Sequence, residues 1–306
     1  MAETLRFGFV TDPSRRSVEA LEAFPIVESL WVGGHVAAPN PTPEAMNHLA
    51  RLVAVAERAR VGTAVLLLPL YPPAIVAKQV ADLDRAAGGR VTLGVGVGGE
   101  YPAEFDACQV PVAERGPRTD EAIGLLRRLW ADAPVDHDGP FYPMHGVHLH
   151  PPPLQPGGPP IVVAGRQPVA MRRAGTLGDG WMPYLYSPNR YAESVGQVRA
   201  AAQAAGRDLA TFEWMVFLFV AVAEDRPAAL EQAAAFLGGT YRQDFSAFVE
   251  RVSAAGTPAD VATRLQEYVD AGARHFVIAP ASRDDREREL LVGRLVDELL
   301  PALRLP

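Results

Sequence analysis

A chain of 306 residues, 48% apolar and 21% charged, has enough material for one large α/β domain or two small ones around a sizeable core. A formal net charge of −7, with no run of basic residues, argues against nucleic acid or an acidic membrane surface as partner. Cys108 is the only cysteine and Lys78 the only lysine, which excludes an intramolecular disulfide framework and a cysteine zinc site, and confines Schiff-base chemistry to one amine.

The opening "MAETLRFGFVTDP" lacks a basic stretch followed by an apolar one, and no segment is apolar for long enough to span a bilayer, so a cytoplasmic protein is expected. "LRFGFV" (5–10) reads as a first strand and "ESLWVGG" (28–34) as a second. The crossover at 11–27 is short and broken by Pro25, which predicts a reduced first helix. "PEAMNHLARLVAVAERA" (43–59) has helical spacing, with Pro43 suited to its first turn. "VGTAVLLLPL" (61–70) reads as a buried strand, "PPAIVAKQVADLDRAAGG" (72–89) as a helix closing on glycine, and "RVTLGVGVGG" (90–99) as a fourth strand.

"ERGPR" (114–118) opens a helix, and residues 132–160 then turn rich in proline and histidine. There "DGPFYP" and "GVHLHP" suggest a small hairpin inserted before the fifth strand, of the kind that shapes a substrate mouth. "PIVVAG" (160–165), "DGWMPYLY" (179–186), "TFEWMVFLFVAVA" (211–223) and "RHFVIAP" (274–280) supply four more strands. Helices at 168–175, 189–206 and 257–272 fall between them, the last with Thr257 as N-cap, and 224–256 reads as two helical stretches. Apolar strands alternating with helices predict a parallel sheet covered on both faces. Eight such units predict an α/β fold of the (β/α)8 TIM-barrel type, with an insertion before strand 5 and residues 1–306 as a single domain. No Gly-x-Gly-x-x-Gly opens a helix in the first unit, so a dinucleotide fingerprint is not present there.

Of the histidines, His145, His148 and His150 alternate as strand neighbours do, yet no acidic residue adjoins them in sequence, so they are expected to decorate an exposed hairpin rather than hold a metal. His35 differs: it follows an apolar strand at the barrel end where chemistry is kept. On its own it reads equally as a core residue or a site residue, and Gly33 and Gly34 favour the site by clearing room near the backbone. The small residues Gly62, Thr63 and Ala64 read either as core variation or as a backbone platform. Arg115, Arg118 and Arg166, at element ends in an acidic protein, point to a phosphate.

"LWVGGHV", "VGTAVLLLP", "AKQVADLDRAAGGRVTLGVGVGGEYPAEF", "ERGPRTDEAIGLLRRLW", "DGPFYPMHGVHLHPPPLQPGGPPIVVAG" and "RRAGTLGDGWMP" occur in this order. Together they resemble the bacterial-luciferase-like monooxygenases, a family of flavin- and F420-dependent oxidoreductases. The resemblance is strong over residues 5–184 and looser beyond. It implies a TIM-type barrel and reduced FMN or F420 as cofactor. It also implies His35 beside the reactive part of the ring, with Gly34 next to it, and the Ala64–Val65 bond as a cis peptide against that ring. Gly98, Gly99 and Glu100 would line the site, with Glu100 as a second acid/base, and Arg118, Ala164, Gly165 and Arg166 would surround the cofactor phosphate.

Many relatives carry an acid just before the histidine, where this chain has Gly34. The phosphate turn has Gly165 and Arg166 where flavin-binding luciferases have an acid and a hydroxyl residue, which implies an arginine-assisted site. The resulting expectation is an oxidoreductase or monooxygenase that transfers hydride to, or activates oxygen on, a small organic molecule. No nucleic-acid, membrane or metal partner is expected, and a homodimer is left open. The rival expectations are a metal-dependent barrel hydrolase built on the 145–150 histidines and a flavin-binding relative without turnover.

Overall fold

The computed structural model describes residues 4–306. The chain alternates β1 (Arg6–Val10), α1 (Arg15–Glu22), β2 (Val27–Val32), α2 (Ala45–Val53), β3 (Arg60–Thr63), β4 (Leu66–Leu67), α3 (Pro73–Ala86) and β5 (Val91–Gly96). After α4 (Pro102–Ala107) and α5 (Arg115–Leu129), β6 (Val135–His137) and β7 (Met144–Val147) pair antiparallel as the inserted hairpin. Alternation resumes with β8 (Ile161–Ala164), α6 (Pro168–Leu177), β9 (Gly180–Met182), α7 (Pro188–Ala204) and β10 (Glu213–Val222). The last elements are α8 (Arg226–Tyr241), α9 (Val249–Val252), β11 (Ser253–Gly256), α10 (Pro258–Asp270), β12 (His275–Pro280) and α11 (Asp285–Arg294).

The strands close in the order β1-β2-β3-β5-β8-β9-β10-β12, all parallel, with β12 returning to β1. β4 continues the third staves on β5, so the ring has the eight members expected of a TIM-type barrel. β5 and β12 are buried along their whole length, as sheet strands covered by helices must be. No helix among the described residues is long and apolar enough to cross a membrane.

The third strand is interrupted at Ala64–Val65, a cis peptide bond between two non-proline residues. Its neighbour β5 makes room: a Cβ at Gly94 would lie 2.0 Å from the Thr63 carbonyl oxygen, and one at Gly96 would lie 2.8 Å from a Val65 methyl. The glycines of "GVGVGG" thus accommodate a backbone kink next door.

Among the boundaries that differ from the sequence expectation, three have a visible cause. The helix expected over 43–59 is shorter at both ends, because Glu44 and not Pro43 caps α2, accepting from the Met46 and Asn47 amides at 2.9 and 2.8 Å. Beyond Val53 the chain leaves the helix, where the Glu22 carboxylate accepts from the Glu57, Arg58 and Ala59 amides. "DGPFYP" forms the hairpin's connection instead of a strand; Pro140 and Pro143 carry no amide hydrogen to give a ladder. Finally, the stretch read as helical near 253–256 contains β11, which adds to the free edge of β10 beyond the reach of β9.

Candidate active site

A cavity of about 1000 Å³ opens at the C-terminal ends of the barrel strands. β2 delivers His35 to its wall, and the His35 amide is fixed by donation to the Pro43 carbonyl at 3.1 Å. The imidazole Nδ1–H donates to the Glu104 carboxylate, at 3.0 and 3.2 Å from its two oxygens. The Val36 amide donates to the same carboxylate at 2.8 Å. Glu104 comes from the first turn of α4 and its side chain is only 1% exposed, against 27% for His35. A buried carboxylate held in this way keeps the proton on Nδ1, so Nε2 is the nitrogen left to gain or lose one. Tyr101 meets the imidazole edge-on, with ring centroids 5.1 Å apart.

The cavity wall also contains Gly34, Ala64, Val65, Gly98, Gly99, Glu100, Ala164, Gly165 and Arg166, all singled out from the sequence. Gly98 and Gly99 have φ of +65° and +110°, a left-handed backbone that a side chain resists. Gly34 is required for a different reason from the one expected. A Cβ there would lie 2.4 Å from both the Ala45 amide nitrogen and the Pro43 carbonyl oxygen. The missing side chain makes way for the segment entering α2, and an acid at this position would not fit. Gly33 likewise faces the Ala64 carbonyl oxygen, 2.9 Å from where a Cβ would stand.

Arg118 is the sequence candidate that lies off the cavity. Its guanidinium donates to Glu114 at 2.8 Å and stacks over Phe141 and Tyr142, at 4.9 and 5.6 Å from the ring centroids. Arg115, one turn earlier in α5, lines the cavity instead. Arg166 stacks on Tyr184 at 4.6 Å, and its own carbonyl accepts from Arg190 at 2.7 Å, which holds the turn before α6 in place. Tyr184 donates its hydroxyl to Glu100. Burial and the nearby Glu100 charge push that phenol well above its usual range, so it remains a donor.

Sequence reasoning missed Glu104 and His48. His48 lines the cavity from α2 and donates Nδ1–H to the Gly33 carbonyl at 2.8 Å. The signal for Glu104 was "EYPAEF", which follows the fourth strand, though nothing in it shows which carboxylate reaches back to β2.

The hairpin histidines divide. His148 and His150 both meet Asp132, at 2.9 and 3.1 Å, while His145 stands 4.0 Å from Asp138. An acid does therefore approach two of them in space, from sixteen residues before His148, although none adjoins them in sequence. The Asp132 group is exposed and contributes nothing to the cavity wall. Lys78 is also remote from it, in α3 beside Asp82 at 3.1 Å.

The sequence profile of the luciferase-like monooxygenases matches residues 27–275. The chain belongs to that family. An uncharacterised Mycobacterium tuberculosis protein is 38% identical over 158 residues, and the aligned part covers 52% of this chain and 54% of that one, about half the relative's length. A Gordonia bronchialis relative, named an F420-dependent glucose-6-phosphate dehydrogenase, is 30% identical over 284 residues, covering 84% of this chain and 82% of its own. Among solved structures, an F420-dependent secondary alcohol dehydrogenase in complex with an F420-acetone adduct superimposes with a TM-score of 0.83. It covers 98% of this chain and 99% of its own at 21% identity, a likeness of fold.

Proposed function

We propose that this chain is an F420-dependent oxidoreductase with its cofactor in the barrel-mouth cavity, His35 as the proton-handling group and Glu104 as the carboxylate that positions it. The observation that carries the reading is the His35–Glu104 pair: a half-buried imidazole, fixed through Nδ1 by a buried acid, on the wall of a cavity large enough for a tricyclic ring system.

The residues present fit such a group. Ala64 and Val65 would back the ring, and Gly98 and Gly99 let the chain pass close to it without side chains. Arg166, Arg115 and the amides of the turn leading into α6 would receive the phosphate end, since Gln167 caps that helix without any side-chain bond. When bound, F420 supplies a carbon that accepts or gives up hydride. The protein's share is to hold the ring, exclude water, and keep a proton available at His35 Nε2, with Glu100 as a second acid near Tyr184. Residues 1–306 are read as one barrel domain acting on a small molecule.

Titrating the protein with F420 and, separately, FMN tests this, with cofactor fluorescence and binding heat as readouts. Saturable binding of F420 in preference to FMN is expected. Saturation by FMN alone would transfer the site to a flavin. Binding of neither would remove the cofactor reading altogether. A bound cofactor that no reductant, oxidant or carbonyl compound ever turns over would mark a binding protein without activity.

A further inference from the structure

Half of the cavity wall is left over once the cofactor has been assigned its arc of the barrel. His35, Ala64, Val65 and the Gly165–Arg166 turn belong to the consecutive staves β2 to β8. The opposite arc, β9 to β1, presents a different surface. Phe217 and Phe219 stand on β10 with centroids 5.3 Å apart; Phe219 meets Phe236 of α8 at 6.1 Å and Tyr241 at 6.2 Å; Tyr241 stacks on Tyr184 at 6.3 Å. Each of these five rings lines the cavity. Among the described residues, the only arginines or lysines on the whole wall are Arg115 and Arg166, both on the cofactor side. The charges nearest the rings are Glu100, which accepts from the Tyr184 hydroxyl, and Arg166, which stacks on Tyr184 and is committed to the cofactor phosphate on the reading above.

Resting on the cofactor reading above, we propose that the substrate is a neutral, largely hydrocarbon molecule carrying a ring, seated against Phe217, Phe219, Phe236, Tyr184 and Tyr241, and that phosphorylated sugars are excluded. A phosphate ester brought to this arc would lose its water without gaining a cation not already taken up by the cofactor phosphate, and would face the Glu100 carboxylate. A flat apolar molecule loses little on leaving water and gains offset and edge-on contacts with the rings. This chain thus departs from its glucose-6-phosphate-dehydrogenase relatives in what it takes, although the same barrel carries it.

Gly239 provides a test that does not depend on activity. It lines the cavity from α8, and a Cβ placed there meets nothing within 4 Å. Leucine is also a better helix former than glycine, so Gly239→Leu should fold and project into the aromatic half. The probes are 2-acetylnaphthalene, a neutral aromatic ketone, and glucose 6-phosphate, titrated calorimetrically into the full chain with and without F420. The ketone is expected to bind wild type, and Gly239→Leu to weaken it about tenfold or more with F420 affinity unchanged. Glucose 6-phosphate should give no saturable heat in either protein. Glucose 6-phosphate binding as tightly as the ketone would overturn the proposal, and so would a ketone affinity indifferent to Gly239→Leu. F420 failing to bind while the ketone behaves as expected would sink the cofactor reading and leave the aromatic site standing.

Discussion

His35 donates a hydrogen bond from Nδ1–H to a carboxylate with almost no contact with water, and that carboxylate takes a second hydrogen bond from the Val36 amide. This arrangement separates the functions of the two residues. Replacing His35 with Gln removes the titratable nitrogen while keeping a polar side chain of similar reach. His35→Gln should therefore fold normally, bind cofactor almost unchanged and lose about 10²-fold or more in turnover, the usual scale for a general acid–base group. Glu104→Gln preserves the shape but not the charge, and should fall between that variant and wild type. Reoxidation of the reduced cofactor by an electron acceptor provides the turnover measurement. If His35→Gln unfolds while its folded fraction turns over normally, His35 belongs to the core. The sequence made His35 visible because an apolar strand runs straight into it. Glu104 stayed hidden because it lies 69 residues away on another βα unit, and chain order does not say which acid meets which base. Gly34 seemed to leave the histidine without its usual acidic neighbour, but the space beside it is occupied by the Pro43–Ala45 backbone and Glu104 supplies the carboxylate from across the mouth.

At the level of elements, strand and helix identities were legible because buried parallel strands are continuously apolar and the helices between them repeat at helical spacing. What escaped was set by local detail: the early end of α2 by the Glu22 carboxylate, and the hairpin's connection by two prolines. The start of α5 belongs with these. Arg115 and Arg118 look equivalent in "ERGPR", but Arg115 donates to the Val112 carbonyl and lines the cavity, while Arg118 turns to Glu114 and the hairpin. Arg118 joins α5 to the hairpin through Glu114, Phe141 and Tyr142, with each cation–π contact contributing roughly 0.5–1 kcal/mol. Arg118→Ala should thus leave cofactor affinity unchanged and raise amide exchange across residues 135–147. Arg166→Ala should do the opposite, weakening cofactor binding by about 1.5–3 kcal/mol, the range of a charge-assisted hydrogen bond. A loss of cofactor affinity in Arg118→Ala with the hairpin still protected would return Arg118 to the phosphate site.

For the molecule as a whole, the two ends of the barrel are built differently. The mouth holds the cavity, while the floor is closed by a polar chain. Trp31 Nε1–H donates to Ser29 Oγ at 2.9 Å, Ser29 pairs with His275 Nε2 at 2.8 Å, and His275 Nδ1–H donates to Glu213 at 3.3 Å. Arg6 closes the chain on the same carboxylate. Gly8 makes room for it, since a Cβ there would lie 2.1 Å from Ser29 Oγ. Four strands are joined in this way, β1, β10 and β12 at their first residues and β2 through Ser29 and Trp31, which the sequence could not show because each side chain is unremarkable in its own strand. Burial alone would raise the Glu213 carboxyl, but the His275 hydrogen bond and the Arg6 charge override it and hold it down at about 2. Burial pushes His275 below its ordinary value in spite of Glu213. Both shifts make folding less favourable as pH falls, so they act in the same direction. A carboxyl depressed on folding contributes stability that is complete above its unfolded value near 4.5 and is lost as pH falls through about 2. A histidine kept neutral in the fold costs stability once pH drops below 6.5, where the unfolded chain takes up the proton more readily. The denaturation midpoint in urea should therefore fall steadily from pH 7 to pH 3. Glu213→Gln should cost roughly 3 kcal/mol at pH 7, as removal of one partner from a buried pair does, and its deficit should shrink below pH 4.5, where the unfolded wild-type chain takes up a proton that the native carboxylate still refuses. Curves for the two proteins that run parallel down to pH 3 would show that the floor network does not govern acid stability.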